Sequence, residues 1–231
     1  SYVAKTHSGS YSMITKSIGW IYFLAMMLFL SGNSSASFAK EKPLIYPIPA
    51  SVRLAGGEFV VTASTIIIVP TKESQVNKFL RGLVETEFID RYCLSLSIVK
   101  ETKLTSENFI LVGTVDNPLV KQYCESHGLN DDLKGLGDEG YVLVVSGKSV
   151  VIAANKQSGA LYGVQSLRQI IRGEKGSIVI PQLKVKDAPK FPFRGIKLYL
   201  PGRENITFFK RFILDFAVFF KYNKIILELN A

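Results

Sequence analysis

Only two histidines, His7 and His127, and two cysteines, Cys93 and Cys124, occur in the 231 residues. They form no H-E-x-x-H, no C-x-x-C and no Cys/His cluster, so the ligand spacing of a zinc site is missing. Gly159 and Gly163 are too few glycines for a phosphate-cradling loop, and G-x-x-x-G in a helix marks close packing instead. Three side chains beyond residue 190 remain as candidates. Arg194 offers five donors in a rigid fork, which suits vicinal hydroxyls. Tyr199 and Glu228 stand near the carboxyl ends of predicted strands, where repeated β-α units bind ligands. Each has a plainer alternative: an ion pair for Arg194 and Glu228, core packing for Tyr199.

The elements that would carry these residues can be read from periodicity. Residues 58–69 are rich in Val, Ile and Thr and end at Pro70, as one or two strands. Val76, Phe79, Leu80, Leu83, Val84 and Phe88 share one helix face. Leu94, Leu96 and Ile98 alternate with polar neighbours, predicting a half-buried strand. Residues 109–115 predict another strand. Asn117-Pro118 starts a helix that stops at Gly128. Residues 141–145 and 150–154 flank Ser146-Gly147-Lys148-Ser149 as a hairpin. Leu161, Val164, Leu167 and Ile171 mark a helix closed by Gly173, and residues 178–185 a strand broken by Pro181. This mixture predicts an α/β or α+β domain over residues 40–187.

A Pro-rich junction, Asp187-Ala188-Pro189-Lys190-Phe191-Pro192, precedes a change of character. Residues 195–200 predict a strand, residues 208–220 a phenylalanine-rich helix that packs, and residues 224–229 a second strand. Residues 188–231 thus form one β-α-β unit, the building block of a parallel sheet or barrel. One unit cannot close an eight-stranded barrel, so a truncated barrel is expected.

The first residues read as an address. Residues 18–30 are an apolar run, too short for the ~20 residues of a membrane span. Lys16 precedes it and small residues follow, with Ser37 and Ala39 fitting a cleavage site. A signal peptide is expected over residues 13–39, an upstream extension over 1–12, and export to the periplasm or the exterior. The formal net charge is +9, but basic and acidic residues interleave, so a solvated surface and no nucleic-acid partner are expected. Cys93 and Cys124 either pair or act as two small hydrophobes.

Five stretches resemble the β-N-acetylhexosaminidases of glycoside hydrolase family 20. Pro43-Leu44-Ile45-Tyr46-Pro47-Ile48-Pro49 resembles their opening segment, and Glu139-Gly140-Tyr141-Val142-Leu143 their E-G-Y-x-L strand. Residues 159–169, from Gly159-Ala160-Leu161-Tyr162-Gly163 to Gln169, are similar to their G-x-x-Y-G-x-Q-T-L-x-Q helix. Asp187-Ala188-Pro189-Lys190-Phe191-Pro192-Phe193-Arg194-Gly195 resembles D-x-P-R-F-x-x-R-G, and Lys221-Tyr222-Asn223 their K-x-N. The five occur in the family's order.

The resemblance implies a zincin-like first domain, then a catalytic (β/α)8 barrel. It implies removal of terminal N-acetylhexosamine from a glycan, with no cofactor, no metal and no membrane partner after signal cleavage. The substrate's own acetamido oxygen attacks the anomeric carbon, while a Glu donates a proton and a neighbouring Asp orients the acetamido group. That pair follows the fourth barrel strand, beyond residue 231. Arg194 matches the family arginine that holds sugar hydroxyls. Tyr199 stands where the family has Asp, and Glu228 and Ala231 stand where it has H-x-x-D. These departures keep an alternative open: a non-catalytic carbohydrate-binding or scaffold protein with a degenerate barrel.

Overall fold

In a computed structural model of the chain, residues 44–229 are described. They belong to one compact unit, Lys42–Ala231; a second unit, Ser1–Glu41, is outside the described residues, and so are the expected extension, the signal peptide and Ala231.

The β-branched runs become strands and the apolar stripes become helices on both faces of one mixed sheet. Its elements are β1 (Ser51–Val61), β2 (Ile66–Pro70), α1 (Gln75–Tyr92), β3 (Ser97–Glu101), β4 (Phe109–Thr114), α2 (Pro118–Ser126), α3 (Asn130–Leu133), β5 (Tyr141–Val145), β6 (Ser149–Ala154), α4 (Gln157–Ile170), β7 (Arg172–Glu174) and β8 (Ser177–Asp187). The order across the sheet is β1-β8-β5-β6-β4-β2-β3, with β7 also on β8. β6, β4, β2 and β3 run parallel, and β5 and β8 antiparallel.

Side chains alternate across this sheet as the pleat requires. Ile110, Val112, Leu143 and Ile152 pack with Leu80, Val84 and Phe88 of α1 and Val164, Leu167 and Ile170 of α4. Leu111, Val142, Val151 and Ala153 pack with Leu119, Val120, Tyr123 and Cys124 of α2. Capping fixes where the helices start. Ser74 Oγ accepts from Asn77 N, and Asn117 Oδ1 accepts from Leu119 N with Pro118 just inside. The close packing expected of Gly159 and Gly163 is present. A Cβ at Gly159 would stand 2.2 Å from the Gly140 carbonyl oxygen, and one at Gly163 2.5 Å from Ile152 Cγ2.

Three local readings need correction. Leu94 and Leu96 precede the strand, which starts at Ser97, so Ile98 is exposed instead of sharing their buried side. Cys93, in the left-handed region, ends α1 and turns the chain just ahead of Leu94. Gly173 does not close α4; it pairs with Ile178 in β7, and the chain turns at Lys175 and Gly176. Pro181 does not break β8. It sits opposite Glu58, where β1 bulges between Leu54 and Glu58 through Gly56 and Gly57, and a bulge spares the missing N–H.

After the sheet, β9 (Gly195–Tyr199) leads through a 3-10 turn (Arg203–Asn205) into α5 (Ile206–Phe212), which continues as π-type turns (Ile213–Val218). β10 (Lys224–Glu228) then lies parallel to β9, Lys224 opposite Gly195 and Glu228 opposite Tyr199. The phenylalanine stripe is only partly packed: Phe208 is 72% exposed.

Candidate functional site

The resemblance motifs lie on elements far apart in sequence, and their polar residues meet where the sheet touches the start of β9 and β10. Glu139 enters from the loop before β5, Tyr162 from α4, Arg194 from the residue before β9, and Asn223 from the residue before β10. Arg194 Nη1 and Nη2 donate to the two carboxylate oxygens of Glu139 at 3.1 and 3.0 Å. Nη2 also donates to Tyr162 Oη at 2.8 Å, Nη1 to the Phe191 carbonyl at 2.6 Å, and Nε to the Lys221 carbonyl at 3.0 Å. All five donors of the guanidinium are therefore engaged. Asn223 closes the joint: its Oδ1 accepts from Arg194 N at 2.9 Å, and its backbone N donates to the Arg194 carbonyl at 3.0 Å.

A second cluster lies deeper. Lys221 Nζ donates to Tyr141 Oη at 3.0 Å and pairs with Asp187 Oδ2 at 3.4 Å. Tyr141 Oη donates to the same oxygen at 3.0 Å and meets Ser166 Oγ at 2.6 Å. Gln169, the last residue of the helix motif, makes a third link by donating to the carbonyls of Tyr46 and Phe219.

The electrostatics are those of a fixed joint. The hydrogen bond from Arg194, against the pull of burial, holds the Glu139 carboxyl below its usual range. Burial, then the bond to Glu139, pushes the Tyr162 phenol up to about 12. Burial raises the Tyr141 phenol well above its ordinary value and lowers the Lys221 ammonium, which Asp187 partly restores. Glu139 thus stays ionised and both phenols stay protonated at neutral pH. That arrangement positions elements and leaves no obvious proton to exchange.

The predicted site residues do not converge. Arg194 lies at the amino end of β9, and Tyr199 and Glu228 face each other at the carboxyl ends of β9 and β10. Five residue steps along β9 separate Arg194 from Tyr199, about 16 Å at ~3.3 Å each. Lys197 ion-pairs with Glu228 and lies 5.7 Å from the centre of the exposed Tyr199 ring. Glu139, Tyr141, Tyr162, Asp187, Lys221 and Asn223 stand in the resemblance motifs, but sequence reasoning gives none of them a role. The available signal is that the motifs carry two acids, Glu139 and Asp187, and two bases, Arg194 and Lys221. Among the described residues no three His, Cys, Asp or Glu side chains gather as a metal would need. Cys93 is exposed and free, and Cys124 is buried and free, its thiol pushed up to about 11 by burial. No described helix is long and apolar enough to cross a membrane.

The fold has counterparts among solved structures. It is similar to the N-acetyl-β-hexosaminidase of Streptomyces plicatus in complex with Thio-NAglucal, with a TM-score of 0.56 at 23% identity, over 80% of this chain and 34% of that one. The model of glycosyl hydrolase family 20, domain 2, matches residues 42–188, and the chain belongs to that family. The chain is 33% identical over 90 residues to the N,N'-diacetylchitobiase of Vibrio harveyi, a stretch covering 39% of this chain and 10% of that protein. It is 38% identical over 71 residues to the β-N-acetylhexosaminidase of Cellulomonas fimi, covering 30% and 14%. The matches thus span a small part of these relatives' length.

Proposed function

We propose that this chain is the front part of an exported β-N-acetylhexosaminidase that removes terminal N-acetylhexosamine from glycans by substrate-assisted catalysis. Residues 40–187 would be its zincin-like domain and residues 188–231 the first β-α-β unit of its (β/α)8 barrel. The proton-donating Glu and orienting Asp would follow a fourth barrel strand beyond residue 231. The observation that carries this reading is the joint itself: motif residues of the family-matched domain bolt a parallel β-α-β unit directly onto it. The barrel's carboxyl face would present Tyr199 and Glu228 to the sugar. Arg194 is better read as the arginine that fixes the first domain to the barrel, because all its donors are engaged at the amino end of β9; holding sugar hydroxyls would require releasing Glu139 or Tyr162.

Hydrolysis of 4-nitrophenyl N-acetyl-β-glucosaminide by the longer gene product is the test. Release of nitrophenol by that product, and none by the 231 residues, is expected. An inactive longer product that still binds N-acetylglucosamine would instead support the non-catalytic alternative. Export is tested separately, by amino-terminal sequencing of secreted material, which should begin near Lys40.

A further inference from the structure

The joint holds the amino ends of β9 and β10, and their carboxyl ends carry a different arrangement. Tyr199 stands opposite Glu228, and Lys197 stands two residues before Tyr199. Side chains alternate along each strand, so Lys197, Tyr199 and Glu228 share one face of the ladder. Lys197 Nζ reaches diagonally across the pair to the Glu228 carboxylate. The same ammonium lies 5.7 Å from the centre of the Tyr199 ring, within cation–π range. One cation therefore touches both side chains at the proposed sugar-facing end.

Stability does not account for this contact. The Lys197 and Glu228 side chains are 57% and 40% exposed, and a pair so exposed adds little to folding. Lysine is also a poor strand former, yet it stands in the middle of β9. The pair is instead asymmetric. Glu228 Oε2 is buried and faces Lys197, so the open part of the carboxylate is Oε1. The Tyr199 ring beside it is 59% exposed. An open aromatic face next to one oriented acceptor oxygen suits a pyranose, whose C–H face can stack on the ring while a hydroxyl donates to the oxygen.

We infer that Lys197 is the positioning residue of this end. It acts through Glu228 and touches no reacting atom. By covering Oε2 it aims Oε1 at a hydroxyl of the sugar, and by standing against the Tyr199 ring it keeps that ring beside the acceptor. Without Lys197 the carboxylate is free to rotate away, and the sugar must order it on binding. The reaction served by this binding rests on the hydrolase reading; the positioning of Glu228 by Lys197 does not.

The test is made on the proposed full-length enzyme, by kinetics with 4-nitrophenyl N-acetyl-β-glucosaminide and by calorimetric titration with N-acetylglucosamine. Lys197→Met keeps the side-chain stem and removes the charge. It should raise KM and Kd about ten-fold, leave kcat within about two-fold, and keep the melting temperature. Lys197→Arg, which still reaches the carboxylate, should recover most of the affinity. In a Glu228→Gln background, Lys197→Met should weaken binding little further, because its effect passes through Glu228. Unchanged KM and Kd in Lys197→Met, no recovery in Lys197→Arg, or fully additive losses in the double variant each overturn the inference. A parent enzyme that binds N-acetylglucosamine without hydrolysing the substrate sinks the hydrolase reading alone, and the Kd values then decide on Lys197. A parent enzyme that does neither overturns both.

Discussion

Ile152 in β6 and Ile226 in β10 are the same residue in the same kind of element, a strand in a parallel pair, yet one is fully buried and the other is 50% exposed. The pair β4/β6 lies between α1 and α4 on one side and α2 on the other, so apolar burial holds it. The pair β9/β10 has no such cover among the described residues and leans on the joint at its amino end. Apolar strands therefore differ less in composition than in what secures them: a core in the first case, a few charged hydrogen bonds in the second.

Removing a deep member of the joint should have the largest effect. Lys221→Ala leaves the Asp187 carboxylate and the Tyr141 hydroxyl without their buried cation, and breaking a buried pair this way costs about 3–5 kcal/mol. Denaturant unfolding of the chain should show that loss. A change below about 1 kcal/mol would mean that the joint contributes little.

The core side of the comparison can be broken at Gly159. Alanine is the better helix former by roughly 1 kcal/mol. Its Cβ would nevertheless press on the Gly140 carbonyl oxygen from 2.2 Å, so α4 must lift from the sheet. Overpacking of this kind costs about 1–3 kcal/mol, and Gly159→Ala should lower thermal stability despite its helix propensity. A stabilised variant would show that α4 has slack.

The upper joint should give a smaller, pH-dependent effect. Glu139 has a folded-state pKa below its unfolded one. Its contribution is then fully present above the ordinary glutamate value and is lost as pH falls through the lowered folded value. Glu139→Gln should cost about 1–3 kcal/mol at neutral pH, for a weakened bond to a charged partner. Acidification below the glutamate range should destabilise that variant less steeply than the parent chain. Parallel melting curves against pH would remove Glu139 from the acid response.

Much of the first region was legible because its signals are local. Ser146-Gly147-Lys148-Ser149 announced the hairpin, Asn117-Pro118 the start of α2, and the stripe from Val76 to Phe88 the helix α1. What failed depended on partners elsewhere. Pro181 reads as a break until β1 is seen to bulge beside it, and Gly173 as a cap until β8 pairs with it. The joint was invisible for the same reason. Arg194 and Glu139 are 55 residues apart, and Lys221 and Tyr141 are 80 apart, so no periodicity links them. The acid and base in successive motifs hinted at pairing, but only the fold decides which acid meets which base.

The smallest expected effect on stability lies at the other end of β9 and β10, and it sharpens the comparison most. Glu228 and Lys197 pair with side chains 40% and 57% exposed, and pairs in such surroundings are worth about 0–1 kcal/mol. Glu228→Gln should therefore change the unfolding free energy of the chain by less than about 0.5 kcal/mol. In the proposed full-length enzyme the same substitution would replace a charged acceptor on the proposed sugar-facing end, and a hydrogen bond to a charged group contributes enough to lower kcat/KM about ten-fold. Arg194→Lys should do the reverse, because lysine cannot reproduce a fork that reaches Glu139, Tyr162 and two carbonyls at once. It should lower the melting temperature while retaining most of kcat/KM in the molecules that remain folded. If Glu228→Gln destabilises and Arg194→Lys selectively raises KM, then the amino end of β9 faces the sugar and its carboxyl end is the structural one.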